Sequence, residues 1–273
     1  MEETIRAEIA RFVSENPLNH HPSGGFHFDP PLVGFAAADD PLFADYKRII
    51  GDFHLTPSEL LPGAASVVGW VLPIARAVRE SNRLENTWPS RRWAESRCHG
   101  EKLNAALRRH LVEWLRGAGH GAVAPQLSPR WQEFAETPVG IASTWSERHA
   151  VHAAGLGTFS LSDGLITARG IAHRCGSVVT DLHLVPTPRT YSNYRHNCLW
   201  HREGSCGACI GRCPVGAITF AGHDKARCRE YVYGTVPAAV SERYATPQTG
   251  CGLCQTRVPC EASVPPGRIG KNP

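Results

Sequence analysis

The sequence has few lysines and no long run of basic residues. Of its 29 Lys and Arg residues, the lysines are only Lys47, Lys102, Lys225 and Lys271. Nucleic-acid binding domains usually concentrate Lys and Arg along one face or in one segment, and no such stripe is visible here. We therefore expect no nucleic-acid partner.

The chain also lacks a segment with the length and composition of a membrane span. Its longest apolar stretch, about residues 64–75, is interrupted by Gly69 and Pro73 and is too short to cross a bilayer. The first six residues include two glutamates and one arginine, which is unlike the apolar core of a secretory signal. We expect a cytoplasmic protein with no membrane partner.

Cysteine is the informative residue, with ten in the chain and eight of them after residue 190. Because cytoplasmic thiols stay reduced, clustered cysteines there indicate metal ligands rather than disulfides. The spacing is Cys198-x7-Cys206-x2-Cys209-x3-Cys213-Pro214, then Cys228, then Cys251-x2-Cys254-x5-Cys260. Eight thiolates at such spacings predict two [4Fe–4S] clusters, as in a bacterial two-cluster ferredoxin, and hence a redox protein.

In that arrangement the cysteine that precedes proline ligates the other cluster. Glu203 stands where the first cysteine of the motif is expected, so Cys198 is the natural replacement. The crossing rule assigns Cys198, Cys206, Cys209 and Cys260 to one cluster, which we call the first cysteine group. It assigns Cys213, Cys228, Cys251 and Cys254 to the other, the second cysteine group.

Zinc is the competing interpretation, because two CxxC pairs could bind one tetrahedral ion. That arrangement would leave four other cysteines without a role. Cys175 is a further candidate ligand, but its setting at a strand edge favours structural burial. Cys98 falls in a long helical pattern and is expected to be a small buried side chain.

The periodicity of the first 190 residues mixes helices and strands, which predicts an α+β domain with a central sheet over residues 1–190. Residues 191–273 are expected to form a cluster-binding domain with little core of its own. We predict helices over residues 2–15, 41–50 and 90–117, a helix that opens with a capping box at Thr144 and runs to about residue 154, and a further short helix from 57. We predict strands over residues 32–38, 65–72, 122–125, 161–167 and 177–184.

Few polar residues outside the cysteines stand out as candidates for catalysis. Glu147 is a candidate general acid, although its spacing from Thr144 also fits a helix-capping box. Asp181 and Tyr191 are candidates as well, with a turn cap and simple packing as their ordinary explanations. His20, His21 and His27 could be ligands, but a polar loop explains them more simply.

Several segments, together with the cysteine motifs, resemble epoxyqueuosine reductases and, more distantly, reductive dehalogenases. These segments are Glu147–Ala150, Ala153–Gly157, Leu165–Thr167, Gly176–Leu182, Cys206–Cys209, Cys213–Ile218 and Gly250–Gln255. The resemblance is best in the second half of the chain, and the first 60 residues contribute little.

The resemblance implies a nitroreductase-like α/β sandwich domain that binds cobalamin, followed by a ferredoxin-like domain whose two [4Fe–4S] clusters supply electrons to cobalt. A ferredoxin or flavodoxin would be the electron donor. The resemblance also implies that one glycine-rich turn lies near the corrin. Its residues are Gly155, Leu156, Gly157, Thr158, Phe159 and Ser160. A flavin, or no organic cofactor, stays open at this point.

The chain departs from that family in two respects. Ile141 or a neighbour occupies the place of the general-acid aspartate, and we expect a short form without the C-terminal extension that binds tRNA. We therefore expect an oxidoreductase that passes electrons to a cobalamin and reduces a small organic substrate. The alternative is a non-catalytic partner that transfers electrons or binds and reduces a corrinoid for another protein.

Overall fold

The computed structural model describes residues 1–267, which form two compact units. The first unit comprises Met1–Ala77, Glu95–Leu156 and His173–Thr190. The second comprises Val78–Ala94, Gly157–Ala172 and the residues from Tyr191 onward. The sequence predicted a single boundary after residue 190, and a boundary between the units does fall there. The two earlier segments of the second unit were not predicted.

The described residues have a mixed α and β secondary structure, as predicted. The helices are α1 (Glu2–Glu15), α2 (Pro41–Ile50), α3 (Pro57–Leu60), α4 (Arg76–Arg83), α5 (Arg91–Gly117), α6 (Glu147–Ala153), α7 (Leu199–Glu203), α8 (Ala208–Arg212), α9 (Lys225–Glu230) and α10 (Val236–Tyr244). The strands are β1 (Leu32–Ala37), β2 (Ser66–Pro73), β3 (Ala122–Val123), β4 (Glu133–Phe134), β5 (Ala142–Ser143), β6 (Gly157–Phe159), β7 (Leu165–Thr167), β8 (His173–Thr180), β9 (Ile218–Thr219) and β10 (Gly222–His223). Among residues 1–267 no helix has the length and apolar character that crossing a membrane requires.

The first unit is built on a four-stranded antiparallel sheet with the strand order β1-β2-β8-β3. Small residues lie side by side across its middle, since Gly34 pairs with Gly69 and Gly69 with Ser177. A Cβ atom on Gly34 would lie 2.3 Å from the carbonyl oxygen of Ala154, directly after α6. These small residues therefore let α6 pack close to the sheet, next to Ser177.

The opposite face of the sheet carries Trp70, which is fully buried. Its indole Nε1 donates to Asn104 Oδ1 of α5 at 2.9 Å, and Asn104 Nδ2 donates to the carbonyl oxygen of Cys175 at 2.9 Å. Gly100, in the middle of α5, has a packing reason: a Cβ there would lie 2.5 Å from the ring of Phe28. This contact explains why a residue unfavourable in helices occupies that position.

Two local predictions for this unit were wrong. Thr144 does not cap α6: its hydroxyl donates to the carbonyl oxygen of Arg130 and accepts from the amide of Gln132, both at 3.0 Å. The helix begins after Ser146, and Glu147 is engaged elsewhere. The strand predicted over residues 177–184 is β8, which begins four residues earlier because its first half pairs with β2.

The polar-loop interpretation was wrong for His21 and His27, which are both buried. Their rings lie 4.8 Å apart, and His27 Nδ1 lies 2.9 Å from Ser96 Oγ. Burial, together with the charges of His21 and His99, lowers the pKa of His27 to about 3. The imidazole is therefore neutral in the folded protein over most of the acidic range.

This burial predicts a loss of stability in mild acid. Below its ordinary pKa of 6.5, His27 is protonated in the unfolded chain but stays neutral in the folded chain until about pH 3. Stability should therefore fall as the pH drops from 6.5 towards 3, by about 2 kcal/mol at pH 5. Thermal unfolding at pH 6.5 and at pH 5 measures the loss of stability, and His27→Gln should abolish much of that loss. His20→Gln, in the same loop but exposed, is the matched control and should retain the full pH dependence.

The second unit contains short helices, the hairpins β6–β7 and β9–β10, and two small apolar clusters. The segment Val78–Ala94 contributes aromatic packing to it, since the ring of Trp88 stacks on that of Tyr231 at 5.9 Å. Tyr244 donates through its hydroxyl to the carbonyl oxygen of Pro89 at 3.1 Å. The cysteine-rich stretch is too short to form a core alone, so it draws apolar side chains from earlier parts of the chain.

Candidate functional site

The four cysteines of the first group line one pocket in the second unit. Apolar side chains complete its wall, and its volume is about 380 Å³ with its open mouth included. These side chains include Leu161, Ile166, Ile171, Trp200 and Val258. Burial and the charges of Cys198 and Cys206 raise the pKa of Cys209 to about 11, and burial and the same neighbours raise that of Cys260 to about 12. The thiols of this group therefore lie close enough to repel one another as thiolates.

The cysteines of the second group also influence one another. Burial and the charges of Cys228 and Cys213 raise the pKa of Cys251 to about 12. Burial and the charges of Cys251 and Cys228 raise the pKa of Cys254 well above its usual value. Gly252 is required between them because a Cβ there would lie 1.8 Å from the ring of Trp93. These effects link the four cysteines that the crossing rule assigned to the second cysteine group, and their role as ligands stays a prediction.

The two groups are neighbours, because the charge of Cys209 also acts on Cys254. Within residues 1–267, no three His, Cys, Asp or Glu side chains converge tightly enough to hold one metal ion.

Buried ion pairs fix the loop that carries Cys260. The carboxylate of the next residue, Glu261, accepts from Arg79 at 3.3 Å and from Arg83 Nε at 2.8 Å. The carbonyl oxygen of Cys260 accepts from the amide of Ile171 at 2.9 Å. This loop is therefore held from both sides, which positions Cys260 among cysteines more than fifty residues earlier.

One backbone amide near the second cysteine group donates a hydrogen bond to sulfur, and one side-chain hydroxyl near it is a candidate donor. The amide of Ala217 donates to Cys213 Sγ at 3.2 Å. The hydroxyl of Thr249, two residues before Cys251, is buried and has no hydrogen-bond partner among the described residues. Ligating thiolates and cluster sulfides commonly accept such bonds.

In the first unit Glu147 is held by a buried network. Its Oε1 accepts from Arg108 Nε at 3.1 Å, and its Oε2 accepts from the hydroxyl of Ser177. Ser177 in turn accepts from Trp145 Nε1 at 3.0 Å. Arg108 also donates to Glu101 Oε1 at 2.9 Å. Both carboxylate oxygens of the strongest catalytic candidate are therefore engaged within the protein.

The electrostatics of this network follow from its burial. Burial raises the pKa of Glu147, against the opposing effects of Arg108 and Ser177. Burial also acts to raise the pKa of Glu101, but the charges of Arg174 and Arg108 outweigh it and lower that pKa. Glu147 is thus the weaker acid of the two carboxyl groups.

The other two catalytic candidates stay predictions. Asp181 Oδ2 accepts from the amide of Gly121 at 2.9 Å, and its Oδ1 lies 3.5 Å from His120 Nδ1. These contacts fasten the end of β8 to the loop before β3. Tyr191 is partly exposed at the start of a segment of the second unit.

The turn predicted to lie near a corrin is packed against the chain itself. Gly155 has a φ of +76°, and a Cβ there would lie 3.0 Å from the carbonyl oxygen of Thr187. A Cβ on Gly157 would lie 2.5 Å from the carbonyl oxygen of Ile166. The glycines are explained by the fold alone, without a cofactor.

The remaining residues of the turn are also engaged. The side chain of Leu156 packs against Gly34 of β1. Thr158 Oγ1 accepts from the amide of Asn197 at 2.8 Å, and the amide of Phe159 donates to the carbonyl oxygen of Tyr194 at 2.7 Å. The hydroxyl of Ser160 lies 3.0 Å from that of Ser162. The assignment of this turn to a cofactor stays a prediction.

Comparison with solved structures identifies the fold. No family model matches the chain, and no curated protein sequence matches it. The epoxyqueuosine reductase from Bacillus subtilis, solved with its catalytic loop swung out of the active site, is similar with a TM-score of 0.55 and 18% identity. An epoxyqueuosine reductase in complex with an epoxyqueuosine-modified tRNA stem loop has a TM-score of 0.54 and 18% identity. Both matches cover 96% of this chain and 66% of the other chain.

A reductive dehalogenase described as supporting a B12-dependent mechanism is also similar, with a TM-score of 0.53 and 16% identity. That match covers 94% of this chain and 36% of the dehalogenase. The fold is therefore that of the epoxyqueuosine reductases and reductive dehalogenases, as the sequence motifs indicated. The chain spans just under two thirds of the length of the reductases and about a third of the dehalogenase.

Proposed function

We propose that this protein is an iron–sulfur oxidoreductase that holds two [4Fe–4S] clusters and passes electrons through them to a cobalamin, where a small organic substrate is reduced. The observation that carries the proposal is the convergence of eight cysteines into two adjacent groups of four. A ferredoxin or flavodoxin would supply the electrons. When bound, the clusters would supply one-electron transfer, and the cobalamin a reducible metal for the substrate reaction.

The cysteines fit such clusters in number, spacing and charge. Each group offers four thiols, and a cubane binds one thiolate at each of its irons. Burial and mutual repulsion disfavour four free thiolates in one place. Iron bound at the centre of each group would supply the positive charge that stabilises the thiolates. The orphaned hydroxyl of Thr249 would also gain an acceptor if a cluster sulfur lies within its reach. On this proposal the second unit is a ferredoxin-like module.

The support for cobalamin is of a different kind. It comes from the fold that the chain shares with the solved reductases and dehalogenases. One of these, a reductive dehalogenase, is described in terms of B12-dependent dehalogenation. The glycine turn offers no open cradle, because its backbone is covered by Thr187 and Ile166. The described residues of the turn therefore do not form a binding surface for a corrinoid.

Metal analysis of protein purified without oxygen tests the proposal. The protein would be reconstituted with iron and sulfide, offered cobalamin and passed over a desalting column. We expect about eight irons per chain, cluster absorbance that bleaches on reduction, and one cobalt per chain. Zinc in place of iron, with no cluster absorbance, would contradict the cluster assignment.

A second candidate function is electron transfer to another protein, without catalysis. It is favoured by Ile141, which occupies the region where the resemblance implies a general-acid aspartate. The metal analysis separates the two candidates. Full iron with no retained cobalt would favour the electron-transfer protein, whereas retained cobalt would direct the search to organic substrates.

A further inference from the structure

Arg212 is a buried cation that directly precedes Cys213 of the second cysteine group in the sequence. Its Nε donates to the carbonyl oxygens of Leu253 at 3.2 Å and Thr256 at 3.0 Å, which lie on either side of Cys254. Its Nη1 donates to the carbonyl oxygen of Glu85 at 2.8 Å. The guanidinium is thereby fixed beside the loop that carries Cys254.

Further bonds complete the cage around this side chain. Nη1 donates to Asn86 Oδ1 at 3.2 Å, and Nη2 donates to the carbonyl oxygen of Asn82 at 3.3 Å. Every one of these acceptors is an uncharged oxygen. Within residues 1–267 no carboxylate forms an ion pair with Arg212.

A buried charge without a counter-ion is strongly unfavourable, even when it is hydrogen-bonded. The carboxylate that acts on Arg212 through space is Glu261, whose charge is already shared with Arg79 and Arg83. Arg212 is held by the carbonyl oxygens of Leu253 and Thr256, on either side of Cys254. The thiolates of a cluster bound by the second cysteine group would therefore lie beside the guanidinium and act as its counter-ion.

On the basis of the proposed function, we propose that Arg212 raises the reduction potential of the cluster held by the second cysteine group. A [4Fe–4S] cluster that takes up one electron from an external reductant gains one negative charge. The guanidinium, fixed beside Cys254, stabilises that charge more than it stabilises the oxidised state. Net charge and hydrogen bonding near the cluster are among the factors that set such potentials.

Among the described residues, the side chains that line the pocket of the first cysteine group include no cation. The lining of this pocket consists of the cysteines themselves, apolar and aromatic side chains, and the hydroxyls of Ser160 and Ser162. Arg202 donates to the carbonyl oxygen of Pro265 in that lining at 3.4 Å, but it is partly exposed and lies 4.0 Å from the carboxylate of Glu203. We therefore expect the cluster of the second group to have the higher potential, so that an electron entering the protein comes to rest there.

The test is a redox titration of the reconstituted protein under argon, followed by electron paramagnetic resonance. Arg212→Met removes the charge, and Arg212→Lys keeps it. Asn86→Asp adds a carboxylate at the side chain that bonds to Arg212, with almost no change in shape. Asn193→Asp, at an exposed site where the side chain accepts from the amide of Arg195, is the matched control.

We expect Arg212→Met and Asn86→Asp to shift the potential of one cluster to more negative values, with Arg212→Lys and Asn193→Asp close to wild type. Asn86→Asp retains the arginine, so its cluster potentials test the inference even if Arg212→Met loses iron. Clusters present with unchanged potentials in Asn86→Asp and Arg212→Met would overturn this inference alone. Wild-type protein without clusters would overturn the proposed function as well.

Discussion

Cys209→Ala and Cys254→Ala should each remove one cluster, so that the iron content falls from about eight to about four per chain or lower. Any reductase activity should disappear in both variants, because in the proposed function each cluster is a step on a single electron path. Iron analysis, absorbance near the cluster bands and electron paramagnetic resonance measure the loss. The fall below four irons would follow if ligation also supplies folding energy to the second unit.

The arrangement of the two groups makes this prediction more specific. Cys260→Ala should lose the same paramagnetic signal as Cys209→Ala, although the two positions are 51 residues apart in the sequence. Cys213→Ala should instead lose the signal that Cys254→Ala loses, although Cys213 directly follows the helix of Cys209. These pairings follow from the crossing rule, and in the structure Cys209 acts on Cys260 and Cys213 acts on Cys251.

Cys98→Ala is the matched control, because Cys98 lies on α5 outside both groups. It should retain full iron and both signals. Full iron in Cys209→Ala and Cys254→Ala would contradict the assignment of all eight ligands. Identical signal loss in Cys209→Ala and Cys213→Ala would contradict the crossing between motifs.

The elements that sequence predicted well are those determined locally. The bounds of α1 and α2 follow from apolar periodicity and from Asp40, which caps α2. Thr56 and Glu59 form a capping box at the start of α3, where the sequence predicted a short helix. The assignment of the cysteines to two clusters stays a prediction, because the crossing rule joins cysteines of motifs that are far apart in the sequence.

The features that sequence missed depend on residues far apart in the chain. The same capping-box pattern at Thr144 failed because Glu147 pairs with Arg108, which lies 39 residues away. No pattern in the sequence around Trp88 predicts that its ring stacks on that of Tyr231. Arg212 was missed because one arginine among many carries no signal until its burial is known.

Arg108→Met should destabilise the first unit by about 3–5 kcal/mol. Arg108 is almost fully buried and donates to Glu147, Glu101 and the side chain of Gln126. Its removal leaves the carboxylate of Glu147 buried with only the hydroxyl of Ser177 as a partner. Chemical unfolding followed by near-ultraviolet circular dichroism, with iron content checked in parallel, measures the loss.

Glu147→Gln should be milder, about 1–2 kcal/mol, because Arg108 keeps Glu101 as its ionic partner. Adding Glu147→Gln to Arg108→Met should recover part of the stability, since the double variant no longer buries an unpaired carboxylate. Retained turnover in Glu147→Gln is the expected result, because both oxygens of Glu147 serve Arg108 and Ser177. If Glu147→Gln instead abolished turnover at nearly wild-type stability, Glu147 would be a proton donor to substrate and its network a means of positioning it.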